Sequence, residues 1–348
     1  MMNKVSTKWI VMLLAMMVVL SACAGGNQAN KGNNQAQQAG NGNKQEKLTD
    51  VTLVLNWSPN TNHTGLYVAR DKGFYAEQGL NVDIILPGSS GPNAVVGSGQ
   101  AQFGVSFQEG VTDARLQEVP VVSIAAVIQH NTAVFAAPVE KNIKAPKDFA
   151  GKTFGGFGAA AEPAIIEALM VADGVADASD VKILNVGEAD FFTSVQRDID
   201  FSWIYYGWAG IEAELRGIEI DTIFLKDYSH KLDYYTPVII SNEQTIEQKP
   251  ELVKAFMAAT TAGYEYAIAH PDESARILLD AVPELDEELV MASQKWLSPR
   301  YQDDAQQWGV QKLEVWENYA KWLQEYDLLD GTFDAAAAFT NAFLPKAN

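Results

Sequence analysis

Short apolar runs alternate with stretches of helical period through most of the chain. Val51–Leu55 is the first run, a helix is predicted over Tyr67–Glu77, and a second strand over Val82–Leu86 stops at Pro87-Gly88. Strand, helix, strand predicts a parallel pair with the helix laid across it. The pattern continues with a helix near Asn93–Gly97, a strand at Gln102–Ser106, a helix at Gly110–Gln117 and a strand at Val121–Ile128. A second series starts after Pro146, with strands at Thr153–Phe157, Val181–Val186, Ile199–Tyr205 and Thr222–Leu225 and helices at Pro163–Asp173 and Asp190–Arg197. Such alternation predicts parallel-rich sheets covered on both faces. Beyond Pro237–Ile240 the chain turns helical, and Leu252, Val253, Phe256, Met257, Tyr264 and Ala267 recur at the spacing of a buried face.

The two series predict two α/β bodies. The chain is expected to enter the second near Val134–Val139 and leave it near Tyr235–Ile240, so that two crossing strands form a hinge. The expected division is 49–137 with 237–348 for the first domain and 138–236 for the second. Ligands of open α/β sheets sit beyond the carboxyl ends of the strands, so facing domains line a cleft with those ends.

Ahead of the bodies, Lys4 and Lys8 precede an apolar run from Trp9 to Leu20, which reads as an export leader over 1–22. Its 12 residues fall short of a span. The run ends in Leu20-Ser21-Ala22-Cys23, which resembles the lipobox of bacterial lipoproteins and makes Cys23 the expected lipidated N-terminus. Of the 24 residues Ala24–Lys47, 16 are Asn, Gln or Gly, too polar to offset chain entropy by burial, so 23–48 is expected to be a flexible tether. Loss of Lys4 and Lys8 with the leader takes the formal charge from −19 to −21.

Charge and composition narrow the function. Lys and Arg number 25 against 44 Asp and Glu, which repels phosphate backbones and excludes nucleic acid as a partner held by a basic footprint. Cys23 is the sole cysteine, and His63, His130, His230 and His270 are not at metal-ligand spacing, so neither an internal disulfide nor a metal is expected. At 47% hydrophobic residues the body can bury a large core.

Candidate chemistry gathers at the strand ends. Asn56-Trp57-Ser58-Pro59 with His63 follows the first strand, Ser106-Phe107-Gln108-Glu109 a later one, Gly155-Gly156-Phe157-Gly158 opens the second series, and Trp203-Ile204-Tyr205-Tyr206-Gly207-Trp208 closes it. Glu109, Glu162 and Glu188 also follow strand ends, where a carboxylate commonly serves a helix N-terminus. The expected ligand-binding set is Asn56, Trp57, His63, Ser106, Phe107, Gly156, Glu162, Glu188, Tyr205, Tyr206, Trp208 and Tyr235. His63 has no partner histidine or cysteine and reads as a hydrogen-bonding residue of its loop. Gly151-Lys152-Thr153 imitates the end of a P-loop, but Pro146 stands where the first glycine belongs.

Asn56-Trp57-Ser58-Pro59, Gly65–Tyr75, Gln78-Gly79-Leu80 and Gly97–Gly104, with Lys147–Gly156 and Ile199–Tyr205 further on, resemble the NMT1/thiamine-precursor family of ABC-transporter substrate-binding proteins. The resemblance covers essentially the whole body. It implies an α/β, type II periplasmic binding protein: two α/β domains, a two-strand hinge and a ligand cleft between them. It further implies a monomeric lipoprotein on the outer face of the cell membrane. Such a protein captures N-formyl-4-amino-5-aminomethyl-2-methylpyrimidine for thiamine salvage and hands it to a permease and its ATPase.

The same superfamily contains a pyrimidine-forming synthase that consumes one of its own histidines and uses pyridoxal phosphate and iron. As aligned, its lysine falls on Ser106, its histidine on Gly110 and its cysteine-rich iron motif near Asp233–Thr236. A Schiff base needs an amine and an iron site needs ligands, so the resemblance implies binding without catalysis and without a cofactor. The rival readings are such a synthase, or the same binding role for another small heterocycle or a sulfonate. The want of an arginine at the strand ends speaks against an anion.

Overall fold

The computed structural model describes residues 47–175, 180–187, 189–329 and 331–346. The expected leader, Cys23, the tether as far as residue 46, and Glu188 lie outside the described residues.

Ten strands are laid down in chain order: β1 Thr49–Val54, β2 Leu80–Ile85, β3 Phe103–Ser106, β4 Val121–Ala126, β5 Ala133–Pro138, β6 Thr153–Gly156, β7 Lys182–Asn185, β8 Phe201–Tyr205, β9 Ile220–Phe224 and β10 Val238–Asn242. They form two five-stranded sheets, ordered β2-β1-β3-β10-β4 and β7-β6-β8-β5-β9. β1 pairs in parallel with β2 and β3, and β6 with β7 and β8, as strand-helix-strand units require. In each sheet one strand runs against its neighbours: β10 in the first and β5 in the second.

Those two strands lie beside the crossovers. The run expected over Val121–Ile128 keeps strand geometry only to Ala126, and residues 127–132 pass between the sheets. The return passes through 232–237, and the two segments are tied together where they meet. Val127 donates its amide to the Pro237 carbonyl at 2.9 Å, and Asn131 donates its amide to Asp233 at 2.8 Å and its side chain to the Leu232 carbonyl at 2.8 Å. Residues 133–137, placed by the sequence pattern in the first domain, are therefore part of the second sheet. An apolar run shows that a strand is buried but not which sheet receives it.

The first sheet is covered by the helix Pro250–Ala269, whose Val253, Phe256, Met257, Tyr264 and Ala267 are buried with Phe103, Val105 and Ile239. Phe256 stacks on Phe103 at 3.7 Å between centroids. The helix Thr64–Asp71 crosses this long helix at glycines. A Cβ on Gly65 would fall 2.3 Å from the Tyr264 ring, and one on Gly263 would fall 2.1 Å from the Gly65 carbonyl oxygen. The close approach lets the Tyr264 hydroxyl donate to the Asn62 carbonyl at 2.8 Å, which anchors the loop after β1.

The second core is built around Phe135, with Phe149, Phe154, Phe201 and Trp203 set edge-on to it. The C-terminal helix Leu313–Glu325 contributes Tyr319, Trp322 and Leu323 to this core, while its Trp316 is buried with Val54, Val111 and Tyr235 of the other. A helix expected within the first domain thus seals both bodies.

Candidate ligand-binding cleft

The loop after β1 is set by His63. Its Nδ1 accepts the Asn60 amide at 3.2 Å, so Nε2 carries the hydrogen and donates to Asn56 Oδ1 at 2.9 Å. Full burial lowers its pKa to about 3, and the ring stays neutral. Both nitrogens are spent inside the loop, so His63 clamps it. Asn56 commits its oxygen to that clamp and keeps its NH2 group for other partners. The next residue, Trp57, is 46% exposed although its side chain is apolar.

Trp57 belongs to a set. Among the described residues, the large aromatic side chains that stand exposed are Trp57, Phe107, Phe157 and Tyr205, and each lies at or just past the carboxyl end of a strand. Val54 pairs with Gly104, and Trp57 and Phe107 each follow this pair by three residues, past the ends of two adjacent parallel strands. Gly155 pairs with Ser202, which sets Phe157 beside the end of β8 at the edge of the second. Each body therefore presents two exposed rings at the carboxyl ends of its strands.

Glu109 joins the two edges electrically. It lies in the first turn of the helix Gln108–Leu116, which Gln108 staples in place. The Gln108 amide donates to the Tyr235 carbonyl at 3.0 Å, its Oε1 accepts the Tyr235 amide at 3.0 Å, and its Nε2 donates to the Val315 carbonyl at 3.3 Å. Burial, eased slightly by a backbone hydrogen bond, pushes the Glu109 carboxyl up to about 7. Burial, and then the Glu109 charge, raise Tyr234, and the Glu109 charge is felt as well by Tyr205, whose side chain is 37% exposed. Tyr205 comes from the second sheet, so Glu109 faces residues of both bodies. The Tyr234 hydroxyl lies beside this carboxyl without reaching good hydrogen-bond geometry, and both Glu109 Oε2 and Tyr234 OH are buried without a partner.

Other expected residues prove to be framework. Glu162 is 2% exposed, and its two oxygens accept the amides of Phe157 at 2.7 Å and Gly158 at 3.1 Å. A Cβ on Gly156 would sit 2.3 Å from the nearer oxygen, so that glycine makes room for the carboxylate. The glycine-rich loop thus gives these amides to its own helix, and what it presents outward is Phe157. Tyr235 is buried in the core, where its hydroxyl accepts the Lys312 amide at 2.9 Å, and it is the preceding Tyr234 that faces Glu109.

Tyr206 and Trp208 turn away from Tyr205 because residues Tyr206–Gly210 wind into one π-helical turn. Tyr206 packs on Phe224 and Trp296 and donates to Glu214, and Trp208 packs with Tyr67, Leu278 and Val290. This turn docks on the helix Glu287–Leu297, where Ser293 donates to the Gly207 carbonyl, and so joins the bodies outside the cleft. Ser106 closes β3 with its hydroxyl buried and unpartnered. Glu109 and Phe157 are not in the expected set, although both lie in the strand-end segments that supplied it.

A cavity of about 530 Å³ lies apart, against the crossing segments, lined by His130, Asn131, Asp233, Phe224, Trp296 and Arg300 among others. It shares none of the four exposed rings, and its polar groups are engaged with one another, His130 with Asp233 at 2.6 Å and Arg300 with the Trp296 carbonyl at 2.6 Å. Among the described residues no group of three His, Cys, Asp or Glu side chains is placed to hold a metal.

Residues 60–274 match the family described as NMT1/THI5 like. A formylaminopyrimidine-binding protein of Halalkalibacterium halodurans is 31% identical over 311 residues, 85% of this chain and 91% of the relative. A 4-amino-5-hydroxymethyl-2-methylpyrimidine phosphate synthase of Legionella pneumophila is 28% identical over 85% of this chain and 92% of its own. Among solved structures, the ligand-binding component of an ABC-type import system from Staphylococcus aureus superposes with a TM-score of 0.65 at 11% identity, covering 86% of this chain and 99% of that one. The alkanesulfonate-binding protein SsuA of Xanthomonas axonopodis pv. citri does so at 0.62 and 12% identity, over 84% and 98%. With two mixed sheets facing across a hinge and a family match spanning most of the body, the chain belongs to the NMT1/THI5-like family and has the type II periplasmic binding protein fold.

Proposed function

We propose that this protein is the substrate-binding lipoprotein of an ABC importer, anchored through Cys23 to the outer face of the cell membrane, and that it captures a thiamine-derived pyrimidine such as N-formyl-4-amino-5-aminomethyl-2-methylpyrimidine. The observation that carries the reading is the set of four exposed rings, Trp57 and Phe107 on one body and Phe157 and Tyr205 on the other, around an acid. A flat heterocycle between such faces gains on the order of 1–3 kcal/mol per stack. The name of the halodurans relative points to the same chemical class. A ligand that touches both bodies binds the closed state better than the open one, and closure is what a permease with its ATPase can recognise.

Binding is proposed without catalysis. At Gly110, where the synthases carry the spent histidine, a Cβ would fall 2.9 Å from the Phe107 ring and 3.0 Å from Asn93 Nδ2, so a histidine fits only if Phe107 moves. Ser106, at the lysine position, offers no amine. Calorimetric titration with the formylated pyrimidine tests the reading, together with incubation with pyridoxal phosphate, iron and oxygen. Saturable binding with no new pyrimidine product supports it, and a product formed at the expense of the protein overturns it.

A further inference from the structure

Around Glu109 the protein keeps polar atoms without partners. Glu109 Oε2, Ser106 Oγ, Tyr234 OH and Asn93 Oδ1 are all buried and unsatisfied, and Asn93 is held there by a 2.8 Å bond from its Nδ2 to the Gly110 carbonyl. Ser106 and Tyr234 are fully buried. Buried groups of this kind are costly unless something completes them, and a cleft is where a ligand does so. Of the two strand-end glutamates among the described residues, Glu162 is consumed by its own loop and Glu109 is not.

We propose that Glu109 is the residue that reads the ring nitrogen and exocyclic amine of the heterocycle, and that the complex holds one proton between them. The inference rests on the cleft being a pyrimidine site. A protonated carboxyl donates its O–H to the ring nitrogen and accepts from the amine through its other oxygen. Transfer of that proton gives a carboxylate and a pyrimidinium joined by the same two hydrogen bonds, with the same number of protons. An ionised Glu109 meeting a neutral ligand must therefore take one proton from solvent. Neutral or cationic heterocycles with an N=C–NH2 edge satisfy the site, and anions do not.

The titratable groups that bear on Glu109 are Asp113 on its own helix, Tyr234 on the crossing segment, Tyr205 on β8 and Tyr319 on the C-terminal helix. None is a cation. Burial, the dominant influence, places its titration near pH 7. Above that pH the free carboxyl is ionised, each binding event takes up a proton, and affinity falls about tenfold per pH unit.

The test is titration of the purified protein with N-formyl-4-amino-5-aminomethyl-2-methylpyrimidine from about pH 6 to 9, in buffers of different ionisation enthalpy, so that proton uptake is counted directly. Uptake approaching one proton at about pH 8, with affinity falling about tenfold per unit above about pH 7, is expected. In Glu109→Gln the amide still presents a donor and an acceptor, so binding persists and the slope disappears. A flat wild-type profile without proton uptake, or an unchanged slope in Glu109→Gln, overturns the assignment. Absence of wild-type binding at every pH overturns the pyrimidine reading instead. The wild-type proton count stands whether or not the variant folds.

Discussion

Glu162→Ala separates a residue that touches ligand from one that builds the loop. In the structure the carboxylate is buried and accepts two backbone amides, from Phe157 and Gly158. Hydrogen bonds to a charged acceptor contribute about 1.5–3 kcal/mol each, so about 3–6 kcal/mol is the ceiling for the pair. Two effects lower it. Removing the side chain also removes the cost of burying a charge, and Phe157 and Gly158 lie at the surface, where water can reach their freed amides. A net loss of about 2–3 kcal/mol follows, which in a body of this size shifts the melting temperature down by about 4–6 °C. Glu162→Gln keeps one accepting oxygen but turns an NH2 toward a backbone N–H, so about half that shift is expected. Melting curves of both variants, paired with calorimetric titration of the formylated pyrimidine, form the assay. Affinity should fall only moderately, because Phe157 loses its fixed position but Trp57, Tyr205 and Glu109 remain. Unchanged melting with binding abolished in a folded Glu162→Ala protein would make Glu162 a direct ligand contact and refute the reasoning.

Trp57→Ala removes one exposed stacking face and should weaken binding by about 1–3 kcal/mol, roughly tenfold to a hundredfold, as read by titration; unchanged affinity would remove the ring from the site. His130 has its pKa raised, chiefly by its hydrogen bond to Asp233, so the stability it contributes is present below about pH 6.5 and is lost as pH rises through the raised value. Melting curves against pH should show this loss in the wild type and not in Asp233→Asn. His63, lowered to about 3 by burial, acts in the opposite sense: the folded protein should lose stability as pH falls from about 6.5 toward 3, a limb that His63→Gln reduces. Cys23→Ser should release the protein from the membrane fraction, and an acylated species still partitioning there would refute the anchor.

The sequence by itself determined the strand-helix alternation and the parallel-rich sheets. Those follow from local signals: β-branched runs, helical spacing such as Phe256 to Tyr264, and the glycines and prolines that end each element. It also placed the aromatic and acidic residues at the strand ends, because the end of a strand is legible wherever its direction is. What it did not determine is which way a side chain faces once the chain leaves regular geometry. Tyr206 and Trp208 follow Tyr205 closely, yet a single π-helical turn aims them at Trp296 and Leu278 and leaves only Tyr205 exposed at the end of its strand. Tyr234 and Tyr235 are neighbours with the same side chain, yet the first is buried in the core of the second body beside Glu109 and the second in that of the first. Glu162 and Glu109 both head helices, but both oxygens of the first take up loop amides while Oε2 of the second is buried without a partner, so only the first is fully engaged by the framework. The same limit moved β5 into the second sheet and let the C-terminal helix seal both cores. Burial and hydrogen-bond saturation depend on partners distant in sequence, and those partners exist only once the two bodies have folded together.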